Sequence, residues 1–464
     1  MRPESTKSAR QSQRVALPAS AVRSMKIEAP LDRGFRPPIL TISRSAATVP
    51  LVIGLEREAG LHSRYETVVD PDAPDTLYYV ERLVKFLLWA RGGWKIHFGG
   101  PRAIGERLCV RKFDADLMSQ AYGQAFEIAL MKPDDVPPEK ESGAALGGHL
   151  DGCRLGFDLG ASDYKVAAVK DGAVVYSDEF PWNPRDQHDP QYHFDHLDHG
   201  LKMAAAHLPC VEAIGGSTAG VVVNNQIRVA SLFRSVPAEK FGDARNIFLR
   251  LRQEWDVPVE VANDGDVTAL SGALSLNAKG ILGLAMGSSE AAGFIDKRGC
   301  ILGWLNELAF APVDYNPDAP ADEWSGDRGV GALYFSQQAV NKLLPAAGIP
   351  VPEGLGLPDK LKKVQELMAA GDSRAARVFE TVGVYLGYTI PLYREFYDFE
   401  HVLVLGRVTS GVGGNVIGAK ARAVLDAEFP ELAEKVTLHL PDEKNRRVGQ
   451  AVAAASLPVL ERPA

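Results

Sequence analysis

The chain has 464 residues, of which 46% are hydrophobic, with a net charge of −8 and a pI of about 5.8. This acidic balance argues against a broad basic surface for nucleic acid, and no apolar run reaches the ~18 residues needed to span a bilayer. The four cysteines contain no C-x-x-C pair, which argues against a thiolate zinc site and favours a reducing compartment. We therefore expect a cytoplasmic protein that binds neither membrane nor nucleic acid.

The first third of the chain divides into three parts. Residues 1–30 mix basic side chains with Ser, Gln, Ala and Pro, which is typical of a flexible tail. Residues 31–131 predict a small α/β domain, and residues 132–152 are rich in Pro, Gly and charge, as in a linker. The elements predicted in the small domain are strands at 39–42, 49–53 and 94–98 and a helix with one apolar face at 76–91.

A new domain opens near residue 154 with strands on either side of a glycine-containing turn. An Asp-Gly pair then joins the second strand to a third, as in consecutive β-hairpins. In the first turn, Asp158 can hold Mg²⁺, Gly160 lets backbone N–H groups approach phosphate oxygens, and Ser162 adds a hydroxyl. Asp and Gly are also ordinary turn residues, so this turn by itself is weak evidence.

The sequence centres on an apolar, strand-like lead at 261–262 that delivers Asn263 and Asp264 into the start of a helix. A carboxylate at the carboxyl end of a strand is well placed to take a proton from a substrate hydroxyl. Asp264 is therefore the candidate general base. The alternative is that Asn263 or Asp264 only caps the helix.

Four further segments complete a pattern. They are the glycine-rich 213–221 with Ser217 and Thr218, the turn at 286–295 with Gly287 and Ser288, the segment 303–310 with Glu307, and the strand end 402–408 with Gly406. Their order resembles the superfamily of sugar kinases, heat-shock ATPases and actin, and within it the ROK group of sugar kinases and sugar-sensing repressors. The resemblance covers about 154–460.

The resemblance implies a two-lobed actin-like ATPase (ribonuclease H-like) α/β fold after the small N-terminal domain. Its lobes would span 153–262 and 263–440, and a C-terminal helix within 441–464 would return to lobe 1. ATP and Mg²⁺ would bind in the cleft, and the acceptor would be a sugar or polyol. A homodimer is one assembly compatible with this resemblance.

The resemblance also implies roles for single residues. Asp264 would deprotonate the acceptor hydroxyl, and Asp158 would hold Mg²⁺. The other implied contacts are to the acceptor from Asn263, Glu307, Ser217 and Thr218, and to the nucleotide from Asp158, Gly160, Ser162, Gly287, Ser288 and Gly406.

Several positions depart from the group's pattern. Glu290 brings a negative charge to a phosphate turn that is usually rich in glycine, and Arg407 stands where the adenosine segment usually has glycine. Ala309 and Phe310 occupy the place of a metal-binding histidine, and 323–330 keeps the glycines of the group's zinc loop without its cysteines. We therefore expect no zinc.

A run of alternating His and Asp at 186–199 offers ligand chemistry, because His193, His196 and His199 would share one helix face. The alternative is a solvated helix start whose acidic residues favour the helix dipole.

Two main functions follow from these patterns. The first is ATP- and Mg²⁺-dependent phosphoryl transfer to a sugar or polyol. The second is a regulatory protein that binds a carbohydrate without turnover, which the changes at Glu290 and Arg407 favour. A third, weaker hypothesis is another reaction in the same cleft or an assembly role for the N-terminal domain.

Overall fold

The computed structural model describes residues 30–37, 48–141, 147–440 and 446–460. The strand predicted at 39–42 and the tail predicted at 1–30 lie outside these ranges, apart from residue 30. None of the helices in these ranges is both long and apolar enough to cross a membrane.

The N-terminal unit is a four-stranded sheet with a long helix against it. The sheet has the order β2-β1-β3-β4; β1 is antiparallel to both neighbours, and β3 and β4 are parallel. Its elements are β1 (Val49–Glu56), β2 (His62–Val69), α1 (Thr76–Arg91), β3 (Lys95–Gly99), α2 (Arg102–Gly105), α3 (Lys112–Tyr122) and β4 (Glu127–Met131).

Helix α1 differs from the prediction of a single apolar face, because it is buried on almost every side, its charged residues included. Phe86 of α1 stacks on Phe396 from the second half of the chain, with ring centroids 4.1 Å apart. The buried cations of α1 have partners; Lys85, for example, lies 2.8 Å from Asp114. Pairing makes this burial tolerable, so α1 can lie between two units rather than on a surface.

The next unit, lobe 1, has a five-stranded sheet of order β11-β8-β5-β6-β7. Strands β5, β8 and β11 are parallel, whereas β5, β6 and β7 pair as antiparallel hairpins, as the Gly and Asp-Gly turns predicted. Its elements are β5 (Cys153–Leu159), β6 (Asp163–Lys170), β7 (Ala173–Pro181), α4 (Pro190–Ala205), β8 (Ala213–Thr218), β9 (Val221–Val223), β10 (Gln226–Val229), α5 (Phe241–Arg245), α6 (Ile247–Trp255) and β11 (Val259–Asn263).

Lobe 2 contains a sheet of order β13-β12-β14-β15, in which β12, β14 and β15 are parallel and β13 is antiparallel to β12. Most of its buried side chains form one continuous core with those of the N-terminal unit, whereas those of α7 form a separate cluster with α13. Its elements are α7 (Asp264–Leu276), β12 (Ile281–Met286), β13 (Glu290–Ile295), α8 (Gln337–Leu343), α9 (Leu357–Ala369), α10 (Ser373–Phe396), β14 (His401–Leu405), α11 (Val412–Glu428), α12 (Pro430–Ala433) and β15 (Thr437–His439).

The last helix, α13 (Arg446–Ala455), packs on the sheet of lobe 1. Two strand glycines permit this approach. A Cβ atom on Gly156 would lie 1.8 Å from the carbonyl oxygen of Ala451, and one on Gly215 would lie 1.7 Å from that of Ala454. Only glycine allows helix and sheet backbones to approach this closely. The domain boundaries given above stay a prediction.

Candidate active site

The centre of the site is the junction between β11 and α7. Asn263 ends the strand, and its side chain accepts the N–H of Gly265 at 2.7 Å, which caps the helix. The capping role therefore belongs to Asn263, whose Nδ2 also donates to the carbonyl oxygen of Gly220 at 2.9 Å. The side chain of Asp264, the first residue of the helix, is half-buried. Burial, and then the charge of Asp158, raise the pKa of Asp264 to about 6 against the opposing effect of the N–H groups at the helix start.

Asp158 lies near Asp264, at the end of the neighbouring parallel strands. Ser217 donates its hydroxyl to Asp158 Oδ1 at 2.7 Å, and Lys165 Nζ lies 3.8 Å from Oδ2. Burial raises the pKa of Asp158. Strands β5 and β8 bring the two together, since Asp158 and Ser217 are paired in register. Two neighbouring carboxylates, one of which raises the pKa of the other, with one lysine at the edge, are a suitable arrangement for a divalent cation.

Two more carboxyl groups converge on the same place. Burial and the charges of Asp264 and Asp266 raise the pKa of Glu307 to about 7. Asp266 is buried, and its Oδ1 accepts from the N–H of Phe294 at 3.2 Å and from Asn306 Nδ2 at 2.8 Å. Burial raises its pKa to about 7. The prediction did not include Asp266; its position two residues after Asp264, in the first turn of the same helix, is the signal that could have indicated it.

The polar residues at the end of β8 differ in their environment. Ser217 is bonded to Asp158, whereas the buried hydroxyl oxygen of Thr218 has no hydrogen-bond partner among the described residues. A buried hydroxyl without a partner is costly. Thr218 is thus available for a bound molecule at this strand end.

The first glycine turn connects β5 to β6. The N–H of Gly160 donates to the carbonyl oxygen of Asp163 at 2.9 Å, and the carbonyl oxygen of Gly160 accepts from Trp182 Nε1 at 2.8 Å. Ser162 is exposed, and its hydroxyl donates to Asp163 Oδ2 at 2.8 Å. Trp182 thus fixes the turn from outside, and a ligand would have to compete for the Ser162 hydroxyl.

The second turn connects β12 to β13 and does not carry the charge expected of it. The N–H of Gly287 donates to the carbonyl oxygen of Ser289 at 2.9 Å, and the side chains of Ser288 and Ser289 are exposed. Glu290 instead points into lobe 2, where it is buried and accepts the hydroxyl of Tyr393 at 3.2 Å. Burial raises the pKa of Glu290 to about 8, so this group is largely uncharged at neutral pH. The expectation that Glu290 brings a negative charge to the turn is therefore wrong.

The strand end at Gly406 lies against the second turn. A Cβ atom on Gly406 would be 2.5 Å from the carbonyl oxygen of Met286, and φ is 105°, so only glycine fits. Arg407 is exposed, and its carbonyl oxygen accepts from Gln365 Nε2 at 2.9 Å. The guanidinium is therefore at the surface of this segment.

Comparison with known proteins gives structural matches only. No family model matches the chain, and no curated protein matches it in sequence. A ROK hexokinase from Thermus thermophilus is 19% identical over 65% of this chain and 97% of its own, with a TM-score of 0.51. A ROK family transcriptional regulator, a homologue of the E. coli MLC protein, is 19% identical over 66% of this chain and 78% of its own, with a TM-score of 0.51. A putative N-acetylmannosamine kinase from Listeria monocytogenes is 14% identical over 65% and 97%, with a TM-score of 0.50.

About two-thirds of this chain has the ROK fold. The resemblance and the fold class predicted from the sequence are confirmed at this level. Matches at this low sequence identity establish the fold alone. The roles of single residues depend on the geometry of the site.

Two departures from the ROK pattern have a common physical explanation, because both segments contact α1. Phe310, near the expected histidine, packs on Trp89 with ring centroids 4.5 Å apart. Asp327, in the loop that lacks cysteines, is buried between Lys85 Nζ at 2.9 Å and Arg82 Nη2 at 3.1 Å. Burial opposes ionisation, but Lys85 and Arg82 lower the pKa of Asp327 to about 2. In this chain, contacts with the N-terminal unit hold both segments.

The histidines at 188–199 hold backbone rather than one another. His193 is buried, and its Nε2 lies 3.1 Å from the carbonyl oxygens of Pro184 and Leu232. The Nδ1 of His196 lies 2.9 Å from the Tyr192 carbonyl oxygen, one turn earlier in α4. Among the described residues these histidines form no cluster with metal-ligand spacing. The metal hypothesis for this segment is therefore wrong. The alternative of a solvated helix start fits, because Asp189 is exposed and caps α4 by accepting the N–H of Gln191 at 3.2 Å, although His193 is buried.

Proposed function

We propose that this protein transfers a phosphoryl group from ATP, with Mg²⁺, to a hydroxyl group of a sugar or polyol. The observation that carries the proposal is Asp264: a half-buried carboxylate with a pKa of about 6, beside Asp158 and Glu307. A general base works best when its pKa lies near the operating pH. At neutral pH this carboxylate is ionised and still basic enough to accept a proton.

The residues divide the work by position. Asp264 accepts the proton of the acceptor hydroxyl as its oxygen attacks phosphorus, while Asn263, Glu307 and Thr218 orient the acceptor. At the turns of Gly160 and of Gly287–Ser288, the N–H groups of the two glycines are bonded within the turn. Phosphate oxygens would therefore contact the neighbouring backbone N–H groups, the Ser288 hydroxyl and, in competition with Asp163, the Ser162 hydroxyl. Phosphoryl transfer depends mainly on such positioning and charge stabilisation.

Asp158 is the residue that would hold Mg²⁺. Its carboxylate is buried beside Asp264, and Ser217 Oγ at 2.7 Å and Lys165 Nζ at 3.8 Å offset its charge. When bound, the ion would supply neutralisation of phosphate charge. The adenosine would lie near Gly406.

The test is ATP consumption with Mg²⁺ against a panel of sugars, amino sugars and polyols, with detection of the phosphorylated product. We expect turnover with at least one acceptor and a kcat/KM that falls below about pH 6, where Asp264 becomes protonated. An acceptor that binds in calorimetry without turnover at any pH would contradict the kinase proposal.

The second candidate is a regulatory protein that binds a carbohydrate on the same fold. The observation that favours it is Arg407, an exposed cation in the segment proposed for adenosine. The other argument, a charged phosphate turn, no longer applies because Glu290 is buried in lobe 2. Binding of a sugar that is insensitive to ATP would support this candidate.

A further inference from the structure

A cavity of about 490 Å³ lies where the N-terminal unit, lobe 1 and lobe 2 meet. Asn263 and Asp266 border it, so it adjoins the proposed active site. Its volume lies within the ~300–1,000 Å³ typical of small-molecule pockets. At ~30 Å³ per water it corresponds to roughly sixteen water molecules, which is more space than a single sugar ring displaces.

The N-terminal unit supplies one wall of this cavity. The wall combines Leu61 and Tyr122 with the polar residues Glu58, Lys140 and Glu141. Leu61 is half-buried yet belongs to none of the apolar core clusters of the described chain. Its side chain is therefore a wall of the cavity rather than part of the core.

This wall is fastened to lobe 2. Arg57 is buried, and its Nη1 donates to the carbonyl oxygen of Gly303 at 2.8 Å while its Nη2 pairs with Glu141. Glu141 also accepts the Ser63 hydroxyl at 2.8 Å. Gly303 and Glu141 both line the cavity, so one buried guanidinium sets the width between two walls.

The same unit positions the proposed sugar-binding carboxylate. The N–H groups of Asn306 and Glu307 each donate, at 3.0 Å, to the carbonyl oxygens of Ala90 and Trp89 at the end of α1. Glu307 therefore takes its place from the N-terminal unit. Cavity wall and carboxylate are therefore connected through the N-terminal unit.

The lobe 1 side offers amide and apolar groups. Asn225 is buried, donating to the carbonyl oxygen of Val259 at 3.0 Å and accepting the N–H of Val261 at 2.7 Å. Val222 and Val223 add an apolar surface. Trp304 lies on the lobe 2 side with its buried Nε1 unpartnered among the described residues. Apolar and aromatic surface with a few placed polar groups is the usual lining of a site for an uncharged organic ligand.

We infer that this cavity holds the part of the acceptor that lies away from the phosphorylated hydroxyl, and that the acceptor is a neutral sugar carrying a second ring or a similarly bulky substituent. That the bound molecule is a phosphoryl acceptor rests on the proposed function, whereas its size and neutral charge are inferred from the cavity. The charges of Glu58 and Glu260, against one exposed Lys140, disfavour an anionic substituent. The N-terminal unit is, on this account, a specificity wall of the active site.

The test fills the cavity from the N-terminal side. Leu61→Trp is compared with Leu130→Trp, a matched substitution at an exposed leucine of β4 that is 41% exposed and outside the cavity. kcat/KM is measured for free hexoses and for their disaccharides and alkyl or aryl glycosides. We expect the wild type to prefer a glycoside, this preference to fall at least ~10-fold in Leu61→Trp, and Leu130→Trp to keep it.

Equal selectivity in the wild type and in Leu61→Trp would overturn the inference while leaving the kinase proposal intact. Absence of turnover by the wild type with every acceptor would instead contradict the kinase proposal. Calorimetry then decides the cavity: glycoside binding that Leu61→Trp weakens and Asp264→Asn retains supports it, and absence of glycoside binding to the wild type overturns it. Unliganded melting temperatures check folding, and Leu61→Phe replaces Leu61→Trp if the larger side chain unfolds the protein.

Discussion

Replacing the proposed base should stabilise the protein, and the gain should depend on pH. Folding raises the pKa of Asp264 from 3.8 to about 6. Between these values the folded state binds more protons than the unfolded state, so stability falls as pH rises, and the whole cost is present above about pH 6. At ~1.4 kcal/mol per pKa unit the cost is about 3 kcal/mol. Solvent screening of the half-exposed side chain reduces it, and we expect about 1–2 kcal/mol.

The perturbation is Asp264→Asn, which keeps the shape and removes the charge. Denaturant unfolding of the unliganded protein should show the variant about 1–2 kcal/mol more stable than the wild type near pH 8. The gain should shrink as pH falls from about 6 and disappear near pH 3, below the unfolded-state pKa of 3.8, where Asp264 is largely neutral in both states. Asp116→Asn, at an exposed carboxylate of α3, is the matched control and should show no such gain. A variant that is less stable at pH 8, by an amount independent of pH, would refute the reasoning.

Three other substitutions test the frame around the site. Asp327→Asn should lower the free energy of unfolding by about 2–3 kcal/mol at pH 7, because Lys85 and Arg82 lower the pKa of Asp327 to about 2 although burial opposes them. This loss should shrink as pH falls below about 4. A loss that stays constant down to pH 2 would argue against the ion pairs. Glu290→Gln should gain stability over the wild type as pH rises from about 4.5 to 8, because burial raises the pKa of Glu290 to about 8. Urea unfolding of both proteins at the two ends of that range measures this gain. A stability difference that is the same at both pH values would indicate that Glu290 faces solvent. Gly215→Ala should detach α13, since its Cβ would lie 1.7 Å from a carbonyl oxygen of that helix; hydrogen exchange at 446–455 that matches the wild type would contradict this.

Local patterns in the sequence predicted much of the fold. The helix at 76–91 and the hairpins after residue 153 appear as expected, because the helix has strong periodicity and the hairpins have clear turn signals. The junction at Asn263 and Asp264 was also predictable, since an apolar strand followed by Asn-Asp is a distinct pattern. The amide of Asn263 caps the helix and leaves the carboxyl group of Asp264 for other contacts.

What the sequence could not show depends on contacts between distant segments. Nothing near Glu290 indicates that its partner is Tyr393, about a hundred residues away. Because Glu290 points toward this partner, it does not place a negative charge at the phosphate turn. Likewise, Asp327 follows a glycine in an ordinary loop, and only the fold brings Arg82 and Lys85 to it. The role of α1 as a shared wall was therefore not predictable from its apolar face.

In the proposed reaction, Asp264 is the base of a phosphoryl transfer. The most direct measurement is the rate of acceptor-dependent ATP consumption by the wild type and by Asp264→Asn, with acceptor affinity measured on both. We expect kcat of Asp264→Asn to be lower by about 10² or more, the scale of general-base catalysis. Its acceptor affinity should stay within a few-fold of that of the wild type. Equal rates in the two proteins, or no acceptor-dependent ATP consumption by the wild type, would contradict it.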